Sequence, residues 1–218
     1  MSWRDDIKNR INQISNSDVH IIKEFPTKDN FSKNSYMKYW VTALFVDISG
    51  YTKICETKDD KYVGKMIRTF HEGILSIMNQ YKLKHIQVQG DGIFGVLGSP
   101  HQDGENNKKI FDAALDIKNY LSVFWKIADY KVSIAYKEEL MIVVGKEDAR
   151  EVVFAGGAVN EAKKLMEKTS IKNVILLSDV FVSNNKNILW NKQKNKSYIS
   201  GKDHGVSYSE WYFSGWDK

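Results

Sequence analysis

FVDISGYT, residues 45–52, places one carboxylate, Asp47, between a run of strand-forming residues and a turn built on Gly50. Upstream the run extends through YWVTALFVDI (39–48), with the aromatic and β-branched density of a strand buried on both faces. Downstream of Gly50 the pattern switches to a helix. A second acid, Asp91, stands in QVQGDGIFG (87–95), where HIQVQ and GIFGVLG read as a hairpin joined through Gly90, Asp91 and Gly92. If the two segments are neighbouring central strands of one sheet, both carboxylates arrive at the same edge. Paired carboxylates suit a hard divalent cation such as Mg²⁺, which takes oxygen ligands and completes its shell with substrate phosphates. Taken singly, each acid is equally at home as a turn or cap residue.

The rest of the chain supplies layers for that sheet. Over 61–82, Met66, Phe70, Ile74, Ile77 and Met78 recur at three- and four-residue steps, an amphipathic helix. A second helix is expected at about 105–128, with Ile110, Ala113, Ala114 and Ile117 on one face. YKVSIAYK and ELMIVVGK read as another hairpin turning at Glu138 and Glu139, EVVFAGG leads into the helix AVNEAKKLMEKT, NVILLS is a strand, and late strands follow from Ile188 to Phe213. Residues 1–38 are polar and turn-rich, with a short helix expected at 3–14, and read as an N-terminal arm before a single domain at 39–218. This order of elements describes an α+β sandwich with a mostly antiparallel central sheet flanked by helices, not a doubly wound sheet.

Composition narrows the function classes. The 218 residues are 42% hydrophobic and 27% charged, ordinary globular usage that argues against disorder. The apolar runs are too short to span a bilayer and the N-terminus lacks the apolar segment of a signal peptide, so a cytoplasmic protein is expected, with no membrane partner. The net charge of +5 comes from lysines scattered through helices and loops, without the basic, aromatic-interleaved block of a nucleic-acid groove. One cysteine, Cys55, excludes intrachain disulfides and is expected as a buried or half-buried helical thiol.

Four segments together carry a resemblance. FVDISGYT resembles the FxDxxxFT motif of the class III nucleotide cyclases, QGDGIFG resembles their second metal motif, GGAVNEAKK (156–164) resembles their GxxVNxAxR segment, and SGKDHGVSYSEWYF looks like their last hairpin. They occur in the family's order over residues 45–213. The resemblance implies the ferredoxin-like cyclase fold and a site in which Asp47, Asp91 and the backbone carbonyl of Ile48 hold two divalent ions, Mg²⁺ or Mn²⁺. It implies that main-chain amides of Ser49, Gly50 and Thr52 face the phosphates, as helix N-termini favour anions. Asn160 would orient the ribose. Lys164 stands where the family has its transition-state Arg, and an ammonium neutralises charge without the bidentate grip of a guanidinium. The family's triphosphate Lys aligns with Ser200, leaving Lys202 as the nearest candidate. Because one chain carries one copy of each motif, a homodimer with sites at the interface is implied.

The base-selecting positions of the family fall on Gln87 and Val153, which match neither the Lys and Asp pair of adenylate cyclases nor the Glu and Cys pair of guanylate cyclases. Tyr51 replaces the motif's Phe and is expected to shorten the pocket. These departures look like the pyrimidine nucleotide cyclases of bacterial anti-phage signalling, whose cyclic product acts on a downstream effector. The expected activity is conversion of CTP or UTP to the 3′,5′-cyclic monophosphate and pyrophosphate, and Gln87 fits either base because its amide both donates and accepts. Three alternatives stand beside it: an adenylate cyclase with an atypical base pocket, a catalytically silent nucleotide-binding module, and, more remotely, a polymerase palm.

Overall fold

The structure is a computed structural model and describes residues 9, 11–13, 36–145, 151–191 and 195–211. Of the expected N-terminal arm, residues 9 and 11–13 are helical; the rest of it before Tyr36 lies outside the described residues. The first strand, β1, runs over Tyr36–Ile48 and so begins three residues before the expected boundary. Helices α1 (Tyr51–Thr57) and α2 (Asp60–Gln80) follow, then the hairpin β2 (Lys84–Gln89) and β3 (Gly92–Ser99). Helix α3 (Gly104–Tyr120) ends in a π-helical turn at Leu121–Trp125, closed by Lys126 in a left-handed conformation (φ 40°). Next come β4 (Tyr130–Val144), β5 (Glu151–Phe154), α4 (Ala158–Lys168), β6 (Ile175–Leu177) and α5 (Asp179–Asn184). The short strands β7 (Trp190–Asn191), β8 (Lys196–Ser197), β9 (Gly201–Asp203) and β10 (Val206–Ser209) complete the chain.

The main sheet has the order β2-β3-β1-β4-β6-β10-β9, with β5 on the free part of β4. Its pairings are antiparallel except β4 with β6. Side-chain alternation on β1 sorts the core into two layers. Leu44, Val46 and Ile48 face α2 and α3, among Phe70, Ile74 and Ile110; Met37, Val41, Ala43 and Phe45 face α4, among Ala158, Ala162 and Leu165. Both long helices have carboxylate caps: Asp59 accepts from the Tyr62 amide at 2.8 Å and Asp103 from the Glu105 amide at 2.8 Å. At β9–β10, His204 (φ 46°) and Gly205 (φ 80°) make the two positive-φ positions of a tight hairpin.

Two expectations are corrected, and one element is added. YKVSIAYK and ELMIVVGK form no hairpin; they are one 15-residue strand, β4. Glu138 and Glu139 have none of the Gly, Asn or Asp chemistry of a tight turn. Instead Glu139 is fully buried, and its carboxylate accepts from the Gly157 amide at 2.7 Å and the Val159 amide at 3.1 Å, capping α4 from across the layer. Cys55 is helical as expected but exposed, because α1 lies on the surface and buries no residue. DVFVSN forms a further short helix, α5, capped by Ser178 accepting from the Phe181 amide at 3.2 Å.

The anchoring of α4 runs along one face of β4. Lys131 donates to the carbonyls of Met166 and Thr169, both at 2.5 Å, and Ser133 to that of Ala162 at 2.7 Å. With Glu139 at the helix N-terminus and Lys131 at its C-terminus, the signs of both charges match the helix dipole. Gly157 is fixed by the same contact: a Cβ there would lie 2.7 Å from the Glu139 carboxylate and 2.5 Å from the Glu138 carbonyl. Replacing Glu139 with Ala leaves two buried amides without acceptors, and the expected loss of stability is about 2–3 kcal/mol. Urea unfolding followed by circular dichroism measures it; a loss near zero would mean that water takes over both amides.

Candidate active site

Asp47 continues the odd-numbered series of β1, so its side chain emerges on the α4 face, one step beyond buried Phe45. Its cross-strand neighbour on β3 is Gly92, next to the Val46–Ile93 pair. A Cβ on Gly92 would sit 3.1 Å from Asp47 Oδ1 and 2.9 Å from the Phe45 ring, so the glycine leaves the carboxylate its space. Asp91 comes to the same edge from the turn between β2 and β3, opened by Gly90 at φ 65°. Both carboxylates line one cleft of about 470 Å³, bounded by Ile48, Ser49 and Gly50 on one side and by Met166 and Glu167 of α4 on the other.

The electrostatics of the pair are unfavourable as they stand. Burial first, then the like charge and hydrogen bond of Asp91, push the Asp47 carboxyl up to about 6; the Ile48 amide and the charge of Lys163 pull the other way. A half-buried acid pair with an unmet demand for positive charge fits a hard divalent cation. Among the described residues no group of three or more His, Cys, Asp and Glu gathers anywhere, so the fit rests on two carboxylates and backbone oxygen.

The structure brings together Asp47, Ile48, Ser49, Gly50 and Asp91. The Ser49 amide, expected to face phosphate, already donates to the Asp129 carbonyl at 2.8 Å, whereas the Ser49 hydroxyl is buried without a partner. Thr52 is exposed on α1. The Tyr51 ring packs against the core beneath α1, with its hydroxyl hydrogen-bonded to Cys55, and does not line the cleft. Gln87 pairs with Phe94 on the cleft-side face of β2, just past a bulge that puts His85 at φ 45°. Val153 is exposed on β5. Asn160 and Lys164 are exposed, one turn apart on α4, outside the cleft of their own chain. Lys202 lies on β9, its Nζ 3.4 Å from Asp179.

Sequence reasoning missed three cations on this cleft: Lys131, Lys163 and Lys172. Lys131 is the register partner of Asp47 on β4, a signal available only once the two strands are known to pair. It also missed His71 on α2, whose ring stands behind the Asp91 turn. Burial lowers its pKa, opposed by the Asp91 carbonyl and charge.

Raising the Asp47 pKa means that the folded chain holds a proton there over the window from 3.8 to about 6 in which the unfolded chain releases it. Stability therefore falls as pH rises through that window. Asp47→Asn should flatten this part of the profile and melt higher than the parent at pH 7 without divalent ions. Mg²⁺ or Mn²⁺ should raise the melting temperature of the parent while leaving the variant nearly unmoved. Scanning fluorimetry between pH 4 and 7.5 checks both; identical profiles would remove Asp47 from the cation site.

The profile of the adenylate and guanylate cyclase catalytic domain matches residues 34–210. A protein named uridylate cyclase from Treponema porcinum is 31% identical over 153 residues, covering 69% of this chain and 51% of that protein. A second uridylate cyclase, from Propioniciclava tarda, is 23% identical over 174 residues, covering 73% of this chain and 52% of that protein. The chain thus spans about half the length of the curated relatives it matches. Among solved structures, the adenylyl cyclase CyaB from P. aeruginosa shares the fold with a TM-score of 0.63 at 16% identity, covering 80% of this chain and 94% of that one.

Proposed function

The chain belongs to the adenylate and guanylate cyclase catalytic-domain family, and from that premise we propose that it cyclises a pyrimidine nucleoside triphosphate, UTP before CTP, to the 3′,5′-cyclic monophosphate with release of pyrophosphate. The observation that carries the reading is the meeting of Asp47 and Asp91 at the edge of a lysine-lined cleft. In the reaction the ribose 3′-oxygen bonds to the α-phosphorus, the bond from that phosphorus to the pyrophosphate oxygen breaks, and the hydroxyl proton passes to solvent. Two divalent ions, Mg²⁺ or Mn²⁺, held by Asp47, Asp91 and the Ile48 carbonyl, would supply Lewis acidity and neutralise phosphate charge. Ser49 and Gly50 shape the floor on which the phosphates rest. Asn160 orients the ribose, and Lys164 neutralises charge developing at the α-phosphate.

Asn160 and Lys164 lie outside the cleft of their own chain and are exposed, which supports a homodimer in which they complete the partner's site. Base selection is assigned to Gln87 and Val153, which present no acid to a purine amine. Gln87 can donate to a uracil carbonyl and accept from its ring N–H. The names of the two curated relatives support uridine as the base. A clash of purines with Tyr51 draws no support from the geometry, since that ring is packed on the core. The cyclic product would act on an effector in bacterial anti-phage signalling.

A second reading has its own observation. Lys164 in place of an Arg, with Lys202 tied to Asp179, favours a module that binds nucleotide without turning it over. Incubation with UTP, CTP, ATP and GTP in parallel with Mn²⁺, followed by mass spectrometry, separates the readings. Cyclic UMP should dominate, with purine turnover lower by about tenfold or more, and Asp91→Ala should abolish product. A clear ATP preference would make the protein an adenylate cyclase, and binding without product from any triphosphate would establish the silent module.

A further inference from the structure

We propose that Lys163 binds the polyphosphate of the nucleotide in cis, in the same protomer as Asp47 and Asp91, while its neighbour Lys164 serves the cleft of the partner subunit. The proposal rests on the interfacial cyclase reading above and adds to it a division of labour between two adjacent lysines.

Three lysines line the cleft, and their commitments differ. Lys131 is held at 2.5 Å by two carbonyls at the end of α4. Lys172 is paired with Asp129 at 3.0 Å. Lys163 is exposed and makes no ion pair within 4 Å among the described residues, and its charge is felt by Asp47. It is the cation of the three left to meet a ligand. With the carboxylates neutralised by their metal ions, the remaining charge of the cleft is positive, and a polyphosphate seated there meets Lys163 as a mobile point charge on a flexible stem.

Helix geometry separates the neighbours. A residue step turns an α-helix by about 100°. Ala158, Ala162, Leu165 and Met166 hold α4 to the sheet. Lys163 follows on the flank that carries Met166 and Glu167 into the cleft, whereas Lys164 sits one turn after Asn160 on the flank that leaves it. The two side chains therefore leave the helix about 100° apart, Lys163 lining the cleft of its own chain and Lys164 not, and in a two-fold dimer the second flank is free to reach the other site.

Two experiments on the full chain decide it. Inorganic tripolyphosphate, titrated calorimetrically with Mg²⁺ present, should bind Lys163→Ala about tenfold more weakly than the parent, while Lys163→Arg restores affinity and the melting temperatures of all three agree. Subunit mixing then assigns the protomer, assayed with UTP well below its KM. Asp47→Ala mixed with Asn160→Ala or with Lys164→Ala should recover roughly a quarter of parental activity, since half the dimers are mixed and each has one intact site. Asp47→Ala mixed with an equal amount of Lys163→Ala should give only half the activity of Lys163→Ala alone, at the same total protein. Recovery in that mixture equal to the Lys164→Ala mixture would overturn the cis assignment, and unchanged tripolyphosphate affinity in Lys163→Ala would overturn the binding role. If the Asn160→Ala mixture also fails despite demonstrated subunit exchange, the interfacial reading falls, and the tripolyphosphate titration alone decides whether Lys163 binds phosphate.

Discussion

The grip of β4 on α4 is the constraint on which the site depends. β4 is a central strand, paired along its length with β1 and therefore fixed in register with Asp47. Its side chains at positions 131, 133 and 139 hydrogen-bond the backbone of α4 at its end, its middle and its start. The apolar contacts of Ala162 and Leu165 with the sheet are non-directional. Charge-assisted bonds, accepted by the buried Glu139 carboxylate from the Gly157 and Val159 amides and donated by Lys131 to the Met166 and Thr169 carbonyls, each fix one register. The helix that presents Asn160, Lys163 and Lys164 is thus held at both ends by the strand lying next to the one that presents Asp47. Burial raises the Glu139 pKa, against the pull of the Val159, Gly157 and Ala158 amides, so the anchor itself is made at some electrostatic cost.

Against that rigid support, the acids are a local violation of the rules that build the rest of the core. Asp47 follows five apolar residues that face α4 on alternate positions of β1, where a sixth would be expected from packing alone. Gly92 opposite it fills nothing, and Asp91 adds like charge. Sequences agree with their folds at every level except where function demands otherwise. The unmet charge here is the physical content of the proposed metal site.

The parts of the fold legible in sequence were those governed by short-range periodicity. β1, the apolar stripe of α2 and the Gly-Asp-Gly hairpin all announce themselves within ten or so residues. Glu138 and Glu139 read as a turn because two adjacent acids in an apolar run lack local meaning. The partners of Glu139 are amides 18 and 20 residues later, a distance at which no pattern survives. Cys55 was misplaced for a related reason: a helix buries a face only if something covers it, and α1 has no cover on that side. The acids of the site were visible because strand ends and turns have signatures. The lysines were not, since Lys131, Lys163 and Lys172 resemble the solvated lysines around them until the cleft exists.

The adjacency of Lys163 and Lys164 becomes intelligible on the proposed dimer. If both lysines act as proposed, each α4 contributes to both sites of the dimer, on flanks that point to different clefts. A spacing of three or four residues would stack both side chains on one stripe and serve one site twice. Neighbouring positions diverge by more than a quarter turn, so one short helix can act toward its own acids with one residue and toward the partner's with the next. The rigid attachment of α4 matters more than its length: with 11 residues and one face committed to the sheet, it has two flanks left, and the bonds from β4 determine where each of them points.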